Sequence, residues 1–333
     1  MAIADNKPTS AVLPSLSVVV PTYQHAAFIE KCIQGILMQQ TTFPVEVLIG
    51  EDESTDGTRE ICQRLAAEHP DRIRLFLRSR KDVLYIMGRP TGRANFLALL
   101  SEAQGKYIAL CEGDDHWTDS LKLQKQVDAL EADAQTMGCF TDAWNEHEGQ
   151  RTAYLDGKYA APPSAPWLQQ RDMLLGQGVP TCTFLFRRDQ LLPIPEVLQR
   201  SAVADSVLYV HLTRNGHLRF LPQRTAVRTM HAGGAHALSG RLHRTKVKEQ
   251  VWPLLDEMTH GKYSGEIERM FDMLYASEWD SAVQGKDRPL LKHIWPEVAK
   301  RRERMGWSPA RTALNWCEEW APGITNAVHA VWR

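Results

Sequence analysis

GKYIALCEGDDHW, residues 105–117, places a short apolar run directly before three acids, Glu112, Asp114 and Asp115. A run of this length ended by polar residues and followed by an amphipathic stretch reads as a buried strand leading into a helix. In an open parallel sheet, ligands bind outside the carboxyl ends of the strands, so these acids stand where chemistry is done. Capping the next helix does not require both aspartates, because Asp119 is available for that role. Hard oxygen ligands suit Mg2+ or Mn2+, which take one or two carboxylates and leave the other positions to phosphate and water. The stretch therefore implies a divalent cation, Mn2+ or Mg2+, shared with a diphosphate substrate.

Working outward, strands are predicted at 16–20, 45–50, 73–77 and 106–111, with helices near 27–39, 58–68, 95–102 and 121–132 between and after them. That alternation is the pattern of βαβ units, an α/β fold on a mostly parallel sheet. A second acidic stretch, Glu51-Asp52-Glu53-Ser54-Thr55-Asp56-Gly57-Thr58, follows the strand at 45–50. Ser54 to Thr58 read as caps of the following helix, since Asp and Ser accept hydrogen bonds from free amides at a helix start. Asp52 stands one step earlier and is better placed to face a ligand. The stretch imitates a calcium loop, but Gln63 occupies the position where a bidentate Glu is needed, and a strand precedes it instead of a helix. A calcium loop is excluded.

The passage 156–167 is dense in proline and reads as a loop or joint. Beyond it, strands are predicted at 181–187 and 217–230, a helix at 203–213, and helices from Arg241 to the end. The 333 residues are 43% hydrophobic and carry a net charge of −1. That suits a globular protein with a large core, and nucleic acid is not an expected partner. The six cysteines are scattered without a CxxC pair, so they read as reduced cytosolic thiols rather than a zinc site or a disulfide framework. Residues 1–15 read as a flexible leader without secretory character. The expected location is cytoplasmic. Seven tryptophans beyond residue 250 and the basic run Lys300, Arg301, Arg302, Arg304 leave two readings of the tail. One is helices packed on apolar area, and the other is peripheral contact with the inner face of a membrane.

Taken in order, SVVVPTY (17–23), VLIGEDESTDGTREI (47–61), GRANF (92–96), GKYIALCEGDDHW (105–117) and KLQKQV (122–127) resemble glycosyltransferase family 2, and the likeness continues more loosely to about residue 235. The resemblance implies a GT-A, Rossmann-like nucleotide-diphospho-sugar transferase fold over 16–235, with a mainly helical extension over 236–333. It implies inverting transfer of a sugar from a nucleoside diphosphate to an acceptor hydroxyl, in polysaccharide or glycoconjugate synthesis. The acceptor would be a glycan, a lipid-linked molecule or a protein. By position, Pro21, Thr22 and Tyr23 would line the base and ribose site, and Asp52 would bond the base. Arg93 and Asn95 would lie near the donor. Asp114 would serve both the diphosphate and the metal, with Asp115 and His231 as further metal contacts. Asp205 would be the general base. Glu51 and Glu112 stand where Asp is common in that family, and Gln24 where Asn is common.

The residues themselves are compatible with this chemistry. A cation on the diphosphate offsets charge on the leaving group, and a carboxylate across the sugar ring takes the acceptor proton. Asp205 also suits a helix cap, and His231 a loop histidine bonded to backbone. Arg224 and Arg228, like Arg78, Arg80, Lys81 and Arg89, suit either phosphate neutralisation or a solvated basic face. A non-catalytic nucleotide- or glycan-binding module of the same fold is the alternative function, and it would not need Asp205. A nucleotidyltransferase would want a Gly-rich phosphate loop after the first strand, and PTYQHAA, residues 21–27, has no glycine.

Overall fold

The computed structural model describes residues 13–155, 167–233 and 240–307. Residues 1–12 of the expected leader (1–15), residues 156–166 of the expected joint (156–167) and the tail beyond Trp307 lie outside the described residues. The chain divides into two compact units, residues 1–234 and 235–333.

In chain order the first unit runs β1 (Leu16–Thr22), α1 (Ile29–Leu37), β2 (Val45–Glu51), α2 (Thr58–Glu68), β3 (Ile73–Leu77), β4 (Leu84–Ile86), β5 (Arg89–Thr91), α3 (Arg93–Glu102), β6 (Tyr107–Leu110), β7 (His116–Trp117) and α4 (Lys122–Glu131). It continues with β8 (Thr136–His147), β9 (Gln150–Ala153), β10 (Trp167–Leu168), α5 (Gln170–Leu174), β11 (Leu185–Arg187), α6 (Val197–Arg200), α7 (Ala204–Leu212) and β12 (His217–Thr229). The second unit holds α8 (Arg241–Met258), α9 (Ser264–Gln284) and α10 (Arg288–Arg301).

The main sheet has the order β10-β12-β8-β11-β6-β1-β2-β3. β6, β1, β2 and β3 are parallel, while β11 runs antiparallel between β6 and β8. The parallel strands are mainly apolar, and their buried polar side chains pair with one another: Glu46 accepts from Ser17 and from Arg74. Val18, Val20, Val47, Ile49 and Ala109 pack against Ile29, Ile33 and Ile36 of α1 and Leu123 of α4, all buried. This arrangement is the α/β, GT-A-type fold with a helical C-terminal part that the sequence predicts.

Two segments differ from expectation. Of 181–187 only Leu185–Arg187 is strand, because Thr181–Thr183 forms a 3-10 turn in which the Thr183 hydroxyl bonds Pro180 O and Thr141 O. β8 is a 12-residue strand that periodicity does not announce. Its buried polar side chains break the apolar run, yet each finds a distant partner: Thr141 and Thr225 hydroxyls lie 2.6 Å apart, and Asp142 Oδ2 accepts from Arg224 Nε at 2.7 Å.

The described helices of the second unit are closed by ion pairs and aromatic packing. Trp279 is buried against Trp295, and Trp252 meets Phe271 edge-on. Buried Arg301 donates to Glu268, Asp272 and Glu297, so part of the basic run is neutralised inside the unit. Trp316, Trp320 and Trp332 lie outside the described residues. Among the described residues no helix is long and apolar enough to cross a membrane.

A fully buried lysine joins α4 to the sheet. Lys122 Nζ donates to Gln126 Oε1 at 2.7 Å and sits 4.1 Å from the Trp117 ring centroid, while Gln126 Nε2 donates to Thr183 O at 2.8 Å. Burial disfavours the charged ammonium and pulls its pKa from 10.5 down to about 8. Between those two values the unfolded chain binds more protons than the folded one, so this group's contribution to stability rises with pH. Urea unfolding of the wild type and Lys122→Met should therefore show a stability difference, wild type minus variant, that grows from pH 8 to pH 10.5; a difference flat across that window would contradict the assignment.

Candidate active site

The site is built on the loops at the carboxyl ends of β1, β2 and β6. The loop after β1 is stitched to the loop after β2. Asp56 Oδ2 accepts from Ala26 N at 3.0 Å, Thr58 Oγ1 from His25 N at 2.8 Å, and Ser54 Oγ from Gln24 N at 2.9 Å. Asp56 Oδ1 also accepts from the Thr58 amide at 3.0 Å, at the start of α2. The expected capping by Ser54 to Thr58 is thus partly realised: Asp56 holds a first-turn amide, while Ser54 grips the neighbouring loop. Buried Glu51 accepts from Ser54 N at 2.7 Å and pairs with Arg59.

Asp52 is buried at the end of β2 and accepts from Arg80 Nη1 at 2.8 Å. Burial raises its carboxyl above the usual range, against the pull of Arg80. The same guanidinium lies 4.1 Å from the centroid of the partly exposed Tyr23 ring. Tyr23, Asp52 and Arg80 therefore form one wall with an aromatic face and a fixed polar edge. Pro21 is the penultimate residue of β1, and its carbonyl accepts from Gly113 N at 3.1 Å. Thr22 is buried, with its hydroxyl 3.2 Å from His25 Nδ1.

After β6 the acids separate into different environments. Asp114 is partly exposed, with Oδ2 lying 3.1 Å from His231 Nε2 and 3.8 Å from His25 Nε2. Among the described residues, His25, Asp114 and His231 are the triplet of potential ligands whose atoms all lie within 4.8 Å of one another. Asp115 is buried and turned away from that group, accepting from Thr229 N at 2.9 Å. The structure thus brings Asp114 and His231 together and leaves Asp115, also expected as a metal contact, outside the triplet. Burial, with the charge of Asp114 next in weight, pushes Asp115 up to about 7. Burial and the charges of Asp115 and Asp114 push Glu112 up to about 8, and its Oε2 has no hydrogen-bond partner among the described residues. Burial lowers the pKa of His25, against the pull of Asp114, and so favours the neutral imidazole with its lone pair.

Asp205 sits in the first turn of α7, where Oδ1 accepts from Ser206 N at 2.6 Å. It lines a cavity of about 370 Å³ together with Tyr154, Met173, Gln177, Ser206 and Tyr209. The charge of Asp205 is also among those that act on Glu112. Arg93 and Asn95 are buried and engaged with backbone. Arg93 Nη1 donates to Leu198 O and, at 3.0 Å, to Ser201 O, bracing the segment that leads into α7. Asn95 Nδ2 donates to Gly50 O at 2.7 Å. Neither side chain joins Asp114 and His231. Arg224 pairs with Asp142 and stacks on Trp144, while Arg228 lies 5.8 Å from the Tyr154 ring centroid at the cavity. His25 is the residue that sequence reasoning missed; its signal is its place on the loop after β1, on the same rim as the acids.

The family model described as "Glycosyl transferase family 2" matches residues 17–191, more than half of the chain. The chain belongs to this family. Among its relatives is an uncharacterized protein of Mycobacterium tuberculosis, 30% identical over 319 residues, covering 92% of this chain and 84% of the relative. The GalNAc(5)-diNAcBac-PP-undecaprenol beta-1,3-glucosyltransferase of Campylobacter jejuni is 28% identical over 165 residues, covering 50% of this chain and 49% of that protein. Among solved structures, the mannosyltransferase PcManGT from Pyrobaculum calidifontis in complex with GDP-Man and Mn2+ has a TM-score of 0.53 at 19% identity, covering 98% of this chain and 89% of that one. At that identity the likeness shows the fold. As a family 2 member the chain is a glycosyltransferase.

Gly113 carries a steric demand of the site. A Cβ there would lie 2.4 Å from Thr22 Oγ1 and 2.9 Å from His25 Nδ1, both held by the stitched loops. Gly113→Ala must therefore displace Thr22 or His25. A shift near 1 Å at a reacting centre costs on the order of 100-fold in rate. Transfer from the natural donor should fall by roughly that factor with the unfolding midpoint nearly kept; full activity in this variant would contradict the geometry.

Proposed function

We infer that this glycosyltransferase moves a sugar from a nucleoside diphosphate to an acceptor hydroxyl with inversion, assisted by a divalent cation, Mn2+ or Mg2+. The observation that carries the reading is the meeting of Asp114 and His231 on the rim beyond β6, in the same unit as the cavity lined by Asp205. The Tyr23–Asp52–Arg80 wall suits a nucleoside base, with the ring face for stacking and the fixed polar edge for hydrogen bonds. Asp114 and His231 would hold the cation, which neutralises charge gathering on the departing diphosphate. In a single displacement the acceptor oxygen bonds C1 as the C1–O bond to the phosphate breaks. Asp205 takes the acceptor proton. Asp205 belongs to the cavity in which the acceptor hydroxyl would sit, as a general base requires.

Cell-surface polysaccharide or glycoconjugate synthesis is the proposed setting. The undecaprenol-linked substrate named for the Campylobacter relative and the teichuronic acid named for a Bacillus subtilis relative support it, and suit a glycan or lipid-linked acceptor. A cytoplasmic location with peripheral membrane contact through the C-terminal helices accords with such an acceptor.

Asp205→Asn separates an enzyme from a binding module. With a panel of nucleotide sugars and Mn2+, the variant should keep the thermal stabilisation that donor gives the wild type, because bound ligand stabilises by mass action. Its transfer should fall by about 100- to 10,000-fold, the usual contribution of a positioned base. Equal transfer by both proteins would remove Asp205 from the mechanism.

A further inference from the structure

We propose that His25, Asp114 and His231 form a two-imidazole, one-carboxylate site that holds a divalent transition-metal ion, Mn2+ or Co2+ in preference to Mg2+, with His25 a direct ligand and Asp115 a positioning residue. The proposal deepens the metal-assisted reading above and rests on it.

The three ligand atoms lie within 4.8 Å of one another, and each of the two imidazoles is aimed by a contact outside the triplet. For His25, Nδ1 faces the Thr22 hydroxyl at 3.2 Å while Nε2 points toward Asp114. That is the arrangement of a metal-binding histidine, whose second ring nitrogen donates to an outer partner and so sets the tautomer and the ring plane. The His25 amide is itself tied to Thr58. The His231 ring rests 4.9 Å from the Phe28 ring, centroid to centroid, which fixes its plane. Asp115 accepts from the Thr229 amide, two residues before His231, and so draws the end of β12 onto the rim and delivers His231 to Asp114. Both of its roles, burial and the Thr229 bond, set Asp115 behind the ligand triplet.

The donor set decides the metal. Imidazole nitrogens favour transition metals, whereas Mg2+ prefers oxygen ligands and gives up its water reluctantly. One carboxylate and two imidazoles form a poor cage for Mg2+. The same set leaves coordination positions open on one side, as a cation shared with a diphosphate requires.

The full chain is titrated with MnCl2, CoCl2 and MgCl2 without nucleotide, following free Mn2+ by electron paramagnetic resonance and bound nitrogens by its pulsed form. The wild type should show two imidazole nitrogens on Mn2+, Co2+ binding tighter than Mn2+, and displacement of Mn2+ by Mg2+ only at an excess of about tenfold or more. His25→Ala should show one nitrogen and lose at least about tenfold in Mn2+ affinity, since even outer partners of a ligand supply roughly 10- to 100-fold. Thr22→Val, which removes only the hydroxyl partner of Nδ1, should weaken Mn2+ binding by roughly 10- to 100-fold and serves if His25→Ala does not fold. Asp115→Asn, which keeps an oxygen acceptor for the Thr229 amide, should keep both nitrogens, whereas Asp115→Leu, which has none, should lose the nitrogen of His231. One nitrogen in the wild type, unchanged binding by His25→Ala or Thr22→Val, loss of a nitrogen in Asp115→Asn, or equal competition by Mg2+ would overturn the proposal and leave the transferase reading standing. No Mn2+ bound to the wild type, alone or with UDP or GDP, would instead overturn the metal-assisted reading along with it.

Discussion

Like charges gathered behind one strand repel, and the first unit is organised around that repulsion. β6 delivers Glu112, Asp114 and Asp115 within four residues, and α7 adds the charge of Asp205 to the same neighbourhood. The protein copes by giving the acids unlike surroundings. Glu112 and Asp115 are pushed up to about 8 and about 7, chiefly by burial, so each is partly protonated near neutral pH. Asp114 stays at the surface between two histidines. A cation at that point would relieve the remaining repulsion, and a diphosphate would then offset the cation.

The loops that carry these groups are held by residues that look interchangeable in the sequence. Glu51, Asp52, Ser54 and Asp56 come from one acidic stretch, yet they divide among three sets of partners. Glu51 grips the base of its own loop and Arg59. Ser54 and Asp56 grip the loop after β1, and Asp52 faces Arg80 and Tyr23. Such over-determined backbone is what lets a loop hold an active side chain in place. It also explains the position of His25, whose own amide belongs to that network.

How much of this is legible in the sequence follows from physical range. β1, β2, β3 and β6 are short, mainly apolar runs, and α2 matches its expected span of 58–68, because local pattern determines them. β8 is not legible: its buried Thr141 and Asp142 are satisfied by Thr225 and Arg224, more than eighty residues away. Asp114 and His231 can be picked out from the acid cluster and the family motifs. His25 cannot, because a lone histidine in PTYQHAA has no acid beside it in the chain and gains its meaning only where β1 lies next to β6. Arg93 and Asn95 show the opposite case: their types suit a donor, but α3 turns them inward to backbone carbonyls.

The central claim is that the rim beyond β6 shares one cation with a diphosphate. Phosphorus-31 relaxation of UDP or GDP bound to the Mn2+-loaded protein tests it most directly, since a paramagnetic ion in contact relaxes both phosphates strongly. The account predicts strong relaxation of both signals in the wild type and its loss in Asp114→Ala with Mn2+ present at the same concentration. Nucleotide that binds with its phosphates unrelaxed in the wild type would contradict it.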